Sequence, residues 1–204
     1  ETQLQSIEGY RIQFTTIFRA VTFNAYCKAL ACFQRALVTG PSPYDYQATF
    51  DRLSQRDAES LSDAERLELK LVKPRLAANP MSASARRGQE LFFSDRSGCS
   101  NCHSGPTFTD EQFHNLGVGM NAPQPKLGRF EVTGDADDKG AFKTPTLRNV
   151  SKTRPYMHDG SLASLADVVD FFAKGGRLNA NLSPEIRPLD LTPDDKRDLV
   201  DFLK

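Results

Sequence analysis

The sequence predicts an all-α chain with long loops between its helices. Three observations lead there. Apolar residues recur at three- and four-residue steps between Phe23 and Leu37. Capping signatures open later stretches at Ser62, Ser82 and Thr192. A Gly-x-x-x-Phe stretch (Gly88, Phe92) precedes a Cys-x-x-Cys-His at 99–103, and an apolar helical stretch closes the chain.

Taken in order, Glu1-Thr2-Gln3-Leu4 shows no initiator Met, basic segment or apolar run, so the chain reads as mature or as a piece of something longer. Thr22 caps a helix carrying Phe23, Tyr26, Cys27, Leu30, Phe33 and Leu37; Gly40 closes it and Pro41-Ser42-Pro43 forbids continuation. This reads as a core helix. Cys27 and Cys32 lie roughly 140° apart on it at about 100° per step, so a disulfide between them would break the helix. Both are expected to be buried free thiols. Residues 41–58 read as an extended loop. Ser62-Asp63-Ala64-Glu65 is a capping box opening a second helix, which Pro74 is expected to end. Residues 74–80, rich in Pro, Ala and Asn, read as a surface linker. Ser82 caps a helix to about Phe93, with Gly88 and Phe92 on one face. Thr192-Pro193-Asp194-Asp195 starts the last helix, with Pro at its first position, acids in its first turn, and Leu199, Phe202 and Leu203 as its apolar face.

Composition narrows the function classes. The 204 residues carry 26 Lys+Arg and 26 Asp+Glu, a formal net charge of zero. This argues against a nucleic-acid binder working through a basic field and against a polybasic membrane-surface protein. Runs such as Leu30-Ala31-Cys32-Phe33 are far too short to span a bilayer. Trp is absent, so a radical pathway within the chain would have to use its five Tyr residues.

Cys99-Ser100-Asn101-Cys102-His103 has the spacing by which c-type haem is attached. The two thiols add across the haem vinyl groups and the following His ligates the iron. Attachment of this kind implies an extracytoplasmic address. Half of a zinc site would need four ligands at short spacings, and His114 is the one extra candidate nearby. A thioredoxin-like Cys-x-x-Cys would want a surrounding βαβ pattern, which is missing. His103 needs an acceptor for its Nδ1–H, and a carbonyl within Ser104-Gly105-Pro106 is the expected one.

The Gly-x-x-x-Phe helix, the Cys-x-x-Cys-His and the C-terminal apolar helix resemble the cytochrome c fold, in which the Gly lets the first helix cross closely over the last. A more specific resemblance rests on five stretches: CFQRALVTGPSPYD (32–45), RGQELFFSDRSGCSNCHSG (87–105), FTDEQFHNLGVG (108–119), GRFEVTGDADDKGAFKTPTLRNV (128–150) and TRPYMHDGSLASLADVVDFFAKGG (153–176). Together they resemble the bacterial di-haem cytochrome c peroxidase family, in its MauG-like branch, over nearly the whole chain.

The resemblance implies the following. Residues 1–80 form a helical segment leading from a missing N-terminal haem domain, and residues 81–204 form a cytochrome c-like haem domain. Family members carry two haems, and this chain holds one Cys-x-x-Cys-His. The implied partners are that N-terminal haem domain, on the same polypeptide or a separate one, and a small electron donor such as a c-type cytochrome or a cupredoxin. Hydrogen peroxide is the implied oxidant and the periplasm the implied location. Relatives place the sixth iron ligand fourteen residues after the His of the Pro-Tyr-x-His-Asp-Gly motif. Here that His is His158 and the position holds Phe172, which cannot ligate. Three arrangements compete: a five-coordinate iron, open or water-filled; ligation by Met157 or Met120; or ligation by His158, His114 or a partner group. Met157 follows His103 by 54 residues, a separation that suits a cytochrome c methionine.

His158 and Asp159 are implied near the inter-haem region, the alternative being a packed turn, and Arg148 is a candidate partner for a haem propionate or else part of a surface salt bridge. His114 could equally be a structural hydrogen-bonding histidine. A calcium ion lies between the haems of relatives, held partly by two backbone carbonyls that fall here on Thr153 and Pro155. The acidic cluster Asp135, Asp137 and Asp138 reads as a solvated turn. The implied function is peroxide-dependent redox enzymology. Its rivals are a mono-haem electron carrier and an oxidase that modifies a partner protein.

Overall fold

The computed structural model describes residues 1–37 and 39–204. Roughly half of the described residues are helical. The chain divides into two compact units, residues 1–40 and 41–204.

The first unit holds α1 (Thr2–Ser6), α2 (Glu8–Phe18) and α3 (Phe23–Ala36). Thr22 caps α3, its hydroxyl oxygen accepting from Ala25 N–H at 3.1 Å. The expectation of a core helix is corrected. Phe23, Phe33 and Leu37 are 68%, 61% and 64% exposed, and Ala25 is the buried residue of α3. Cys27 and Cys32 are exposed free thiols, not buried ones. The periodicity marks an apolar face correctly; what periodicity cannot tell is whether anything covers it.

In the second unit, residues 43–54 form a helix, α4 (Pro43–Ser54), where an extended loop was expected. Pro43 occupies the first helical position, where its missing N–H costs nothing. The Asp45 carboxylate accepts from Ser42 N–H at 2.6 Å and from Ser42 Oγ at 2.7 Å. α5 runs Asp63–Ala78 and carries Pro74 inside it rather than ending there. Pro74 and Lys70 are both exposed, so water can take the Lys70 carbonyl that the proline leaves unbonded.

α6 (Ala83–Phe92) and α9 (Pro193–Phe202) pack tightly across each other. Gly88 is the point of closest approach. The buried Asp198 of α9 fixes the crossing by accepting from Arg87 Nε and Nη2 at 2.7 and 2.8 Å. Phe92, 2% exposed, centres an aromatic cluster with Phe108 and Phe202. Tyr44 of α4 joins it, with its ring centroid 5.3 Å from that of Phe108 and 5.7 Å from that of Phe202. That contact draws α4 into the second unit.

The described residues are mostly helical, as expected, with one small sheet added. β1 (Phe113–Asn115) and β2 (Ala141–Lys143) form a two-stranded antiparallel sheet, with His114 opposite Phe142. Three residues of each strand thereby satisfy backbone groups within an otherwise irregular stretch. The strands flank α7 (Phe130–Thr133), and α8 (Leu165–Ala173) precedes the final loop. Asn115 ties these loops together: its Nδ2 donates to the Lys139 carbonyl at 2.6 Å and its Oδ1 accepts from Gly117 N–H at 2.7 Å. No helix among the described residues is long and apolar enough to cross a membrane.

Candidate haem-binding cavity

The Cys-x-x-Cys-His sits on a short 3₁₀ turn, Cys99–Asn101, entered through Gly98 at φ +62°. Ser97, buried, donates to the Leu91 carbonyl at the end of α6 at 2.6 Å and so fixes where the turn begins. The His103 backbone N–H donates to the Cys99 carbonyl at 3.0 Å, closing the turn that carries the two cysteines.

His103 Nδ1 lies 3.0 Å from the Phe108 carbonyl oxygen. A carbonyl only accepts, so Nδ1 carries the proton and Nε2 is left with the free lone pair. The acceptor is thus two residues beyond the expected Ser104–Pro106 stretch. Phe108 reaches that place through φ +53°, a backbone conformation unusual for an aromatic residue. Burial lowers the His103 pKa, which favours the neutral imidazole that a metal requires.

Cys99, Cys102 and His103 line a cavity of about 630 Å³, within the size range of cofactor pockets. Its walls are mainly apolar, including Phe92, Leu116, Val118, Val169, Phe172 and Leu199, with Lys143 and Arg187 among its few charged groups. Burial raises the Cys99 pKa and pushes Cys102 up to about 11, with nearby Asp110 adding to the second shift. Both groups are therefore neutral thiols in the unmodified chain.

Of the other residues read from the sequence, His114, Thr153, Pro155, Met157, His158 and Phe172 also line the cavity. His158 stacks on Phe142, with ring centroids 3.7 Å apart and planes within 9°. Partial desolvation lowers its pKa against the opposing pull of Asp159. His114 Nε2 lies 2.8 Å from Asp110 Oδ2. The side-chain ligand atoms of Cys102, Asp110 and His114 gather within 4.8 Å of one another, a trio that includes Asp110, which sequence reasoning missed.

Met120, Pro106, Arg148 and Asp159 stand outside the lining. Met120 Sδ packs against Gly140, which itself lines the cavity. Asp159 accepts from Ser161 N–H at 3.0 Å. Arg148 pairs with Asp45. Asp135, Asp137 and Asp138 form a turn in which Arg129 binds Asp138 at 3.0 Å.

The residues present fit haem c. An apolar cavity of the right size meets two thiols at the attachment spacing and a lining imidazole whose Nδ1 is already held by a carbonyl. The adjacent Arg187 and Lys143 suit two carboxylates.

Comparisons agree with this chemistry. The family model described as di-haem cytochrome c peroxidase matches residues 1–52. The methylamine utilization protein MauG of Methylorubrum extorquens is 33% identical over 205 residues, covering 99% of this chain and 50% of that protein. The cytochrome-c peroxidase IdrP1 of Pseudomonas sp. is 28% identical over 234 residues, covering 100% of this chain and 55% of that one. Among solved structures, a MauG-like protein associated with microbial copper homeostasis superposes with a TM-score of 0.65 at 28% identity, covering 99% of this chain and 59% of its own. The chain spans about half the length of the curated relatives it matches.

Proposed function

Because the chain belongs to the di-haem cytochrome c peroxidase family, we propose that its second unit is a cytochrome c-like haem domain serving peroxide-dependent redox chemistry beside a second haem domain. The observation that carries the reading is the placement of His103: its Nδ1 proton is held by the Phe108 carbonyl at 3.0 Å, on the wall that Cys99 and Cys102 share.

Cys99 and Cys102 would hold the haem covalently and His103 would ligate its iron. Haem c, when bound, supplies one-electron chemistry and, where a coordination position is open, reactivity toward peroxide. Phe92, Val169 and Phe172 make the cavity wall apolar, which would strengthen charge interactions inside it. Phe172 offers no ligand at the family's sixth position, so the open, five-coordinate arrangement is the one we adopt. His158, neutral at pH 7 and oriented by Phe142, can accept a proton at the cavity wall.

The partners follow from the same reading. The exposed apolar face of α3 suits a further domain, here the N-terminal haem domain. A small electron donor, a c-type cytochrome or a cupredoxin, would supply electrons in the periplasm. The carbonyls of Thr153 and Pro155 would serve a calcium ion in company with oxygen ligands from that other domain.

One observation favours a second reading. Met157 lines the cavity at φ +69° and, as a sixth ligand, would make the domain a pure electron carrier. A protein-modifying oxidase would need an aromatic relay, and Tyr156 is the tyrosine on the cavity wall.

The mass of the denatured protein, with ferric electronic and EPR spectra before and after peroxide, tests the proposal. Covalent haem with a high-spin centre that peroxide converts supports it. A single low-spin haem indifferent to peroxide leaves the electron carrier.

A further inference from the structure

Arg148 occupies a position that the cavity does not explain. Its guanidinium is bound in a fork by Asp45, with Nη2 2.7 Å from Oδ1 and Nη1 on Oδ2. The same group donates through Nε and Nη2 to the Pro106 carbonyl, at 2.9 and 2.7 Å. Its carbon lies 5.1 Å from the centroid of the Phe108 ring. One side chain thus grips both the carbonyl and the ring that bracket the tip of the loop leading from His103.

Neighbouring bonds brace the same loop. Thr146 Oγ1 donates to the Thr107 carbonyl, and Thr109 Oγ1 donates to the Thr144 carbonyl at 2.7 Å. Phe108 keeps an unfavourable positive φ, which persists when the surroundings over-determine it. The Phe108 carbonyl so directed accepts from His103 Nδ1. Arg148 is only 17% exposed at its side chain and Asp45 25%, so this is a partly desolvated pair rather than a solvated surface bridge.

We propose that Arg148, anchored by Asp45, is a positioning residue for His103: it fixes the loop whose Phe108 carbonyl holds the imidazole, and thereby sets the reduction potential of the haem ligated there. The proposal rests on His103 being the iron ligand. A firm Nδ1–H···O bond makes the imidazole a stronger donor, which favours ferric over ferrous iron. Loosening the loop weakens that donation and favours the ferrous state. Lysine cannot replace the planar fork, and Asp45 acts through Arg148, so variants at either position move the potential in one direction.

The test is a redox titration of the haem-loaded protein and of its Arg148→Met, Arg148→Lys and Asp45→Asn variants. Arg87→Met serves as control, since it breaks the Asp198 pair at the helix crossing and leaves the His103 loop intact. Arg148→Met should shift the ferric–ferrous equilibrium toward ferrous about tenfold, which is 59 mV for one electron. Arg148→Lys and Asp45→Asn should each shift it about threefold in the same direction, and Arg87→Met should leave it in place. Unchanged potentials in the Arg148 and Asp45 variants, or an equal shift in Arg87→Met, would overturn the proposal. So would loss of haem from all three test variants while Arg87→Met stays loaded, because Arg148 would then act in assembly. Protein that never carries covalent haem defeats the functional reading itself, a separate outcome.

Discussion

Gly88 lies so close to Asp198 that a Cβ built on it would overlap the Asp198 carbonyl oxygen and stand 2.9 Å from Phe202 Cβ. In an exposed helix, Gly→Ala gains about 1 kcal/mol. Here the clash is with backbone, which cannot rotate away, and overpacking of this kind costs typically 1–3 kcal/mol or more. Gly88→Ala should therefore lower the stability of the haem-loaded protein by about 2 kcal/mol net, read from urea unfolding. A variant as stable as the parent would show that α6 and α9 can separate freely.

That glycine was legible in the sequence because its context is local: a capped helix, a Phe four residues on, and an apolar closing helix. The caps at Thr22, Ser62, Ser82 and Thr192 were legible for the same reason. Yet Ser42-Pro43-Tyr44-Asp45 has the same pattern as Thr192-Pro193-Asp194-Asp195 and reads as loop, because two prolines two residues apart look like a breaker until one is seen to sit at a helix start. Cys99, Cys102 and His103 were marked by spacing alone. Asp45, Phe108, Asp110 and Asn115 were not, since their roles depend on contacts between distant segments. The Arg148–Asp45 pair joins residues 103 apart in sequence, and no periodicity reports such a pairing.

Asn115, 2% exposed, is the clearest of these hidden residues. Besides its bonds to Lys139 and Gly117, its amide exchanges hydrogen bonds with that of Asn179, each at 3.1 Å. Asn115→Ala would strand the buried Gly117 N–H and the partly buried Lys139 carbonyl and Asn179 amide, at roughly 1–3 kcal/mol for each group left unpaired. A loss of about 3 kcal/mol or more is expected in denaturant unfolding. Asn115→Asp should also destabilise, because a carboxylate would face the Lys139 carbonyl and the Asn179 oxygen. A loss under about 1 kcal/mol in both would show that the loops do not depend on this side chain.

Asp45 predicts an acid limb to the stability curve. Burial raises its pKa, but hydrogen bonds from Arg148 and Ser42 more than offset this, and the folded value lies below 3.8. A carboxylate with a depressed folded pKa contributes its stability fully above the unfolded value and loses it as pH falls through the folded one. Between pH 6 and pH 3 the parent should therefore lose more stability than Asp45→Asn, which starts lower and changes less. Denaturant midpoints at each pH measure this; parallel curves for the two proteins would remove Asp45 from the account.

Phe172 and Met157 separate the two functional readings, because both line the cavity and differ in what they can give to iron. An aromatic hydrocarbon has no lone pair, whereas a thioether sulfur ligates haem iron and raises its potential. If the sixth position is open, Met157→Leu leaves the ferric spectrum high-spin and peroxide reactivity intact. Phe172→Met then supplies the missing ligand from α8 and should convert the centre to low-spin, with at least a tenfold loss in its rate with peroxide. If Met157 is already the ligand, the pattern inverts: the parent is low-spin and slow with peroxide, and Met157→Leu opens it. Ferric EPR with stopped-flow peroxide mixing reads both quantities on the same samples. A low-spin parent that turns high-spin on Met157→Leu would overturn the open-site reading and leave an electron carrier whose cavity is closed by its own methionine.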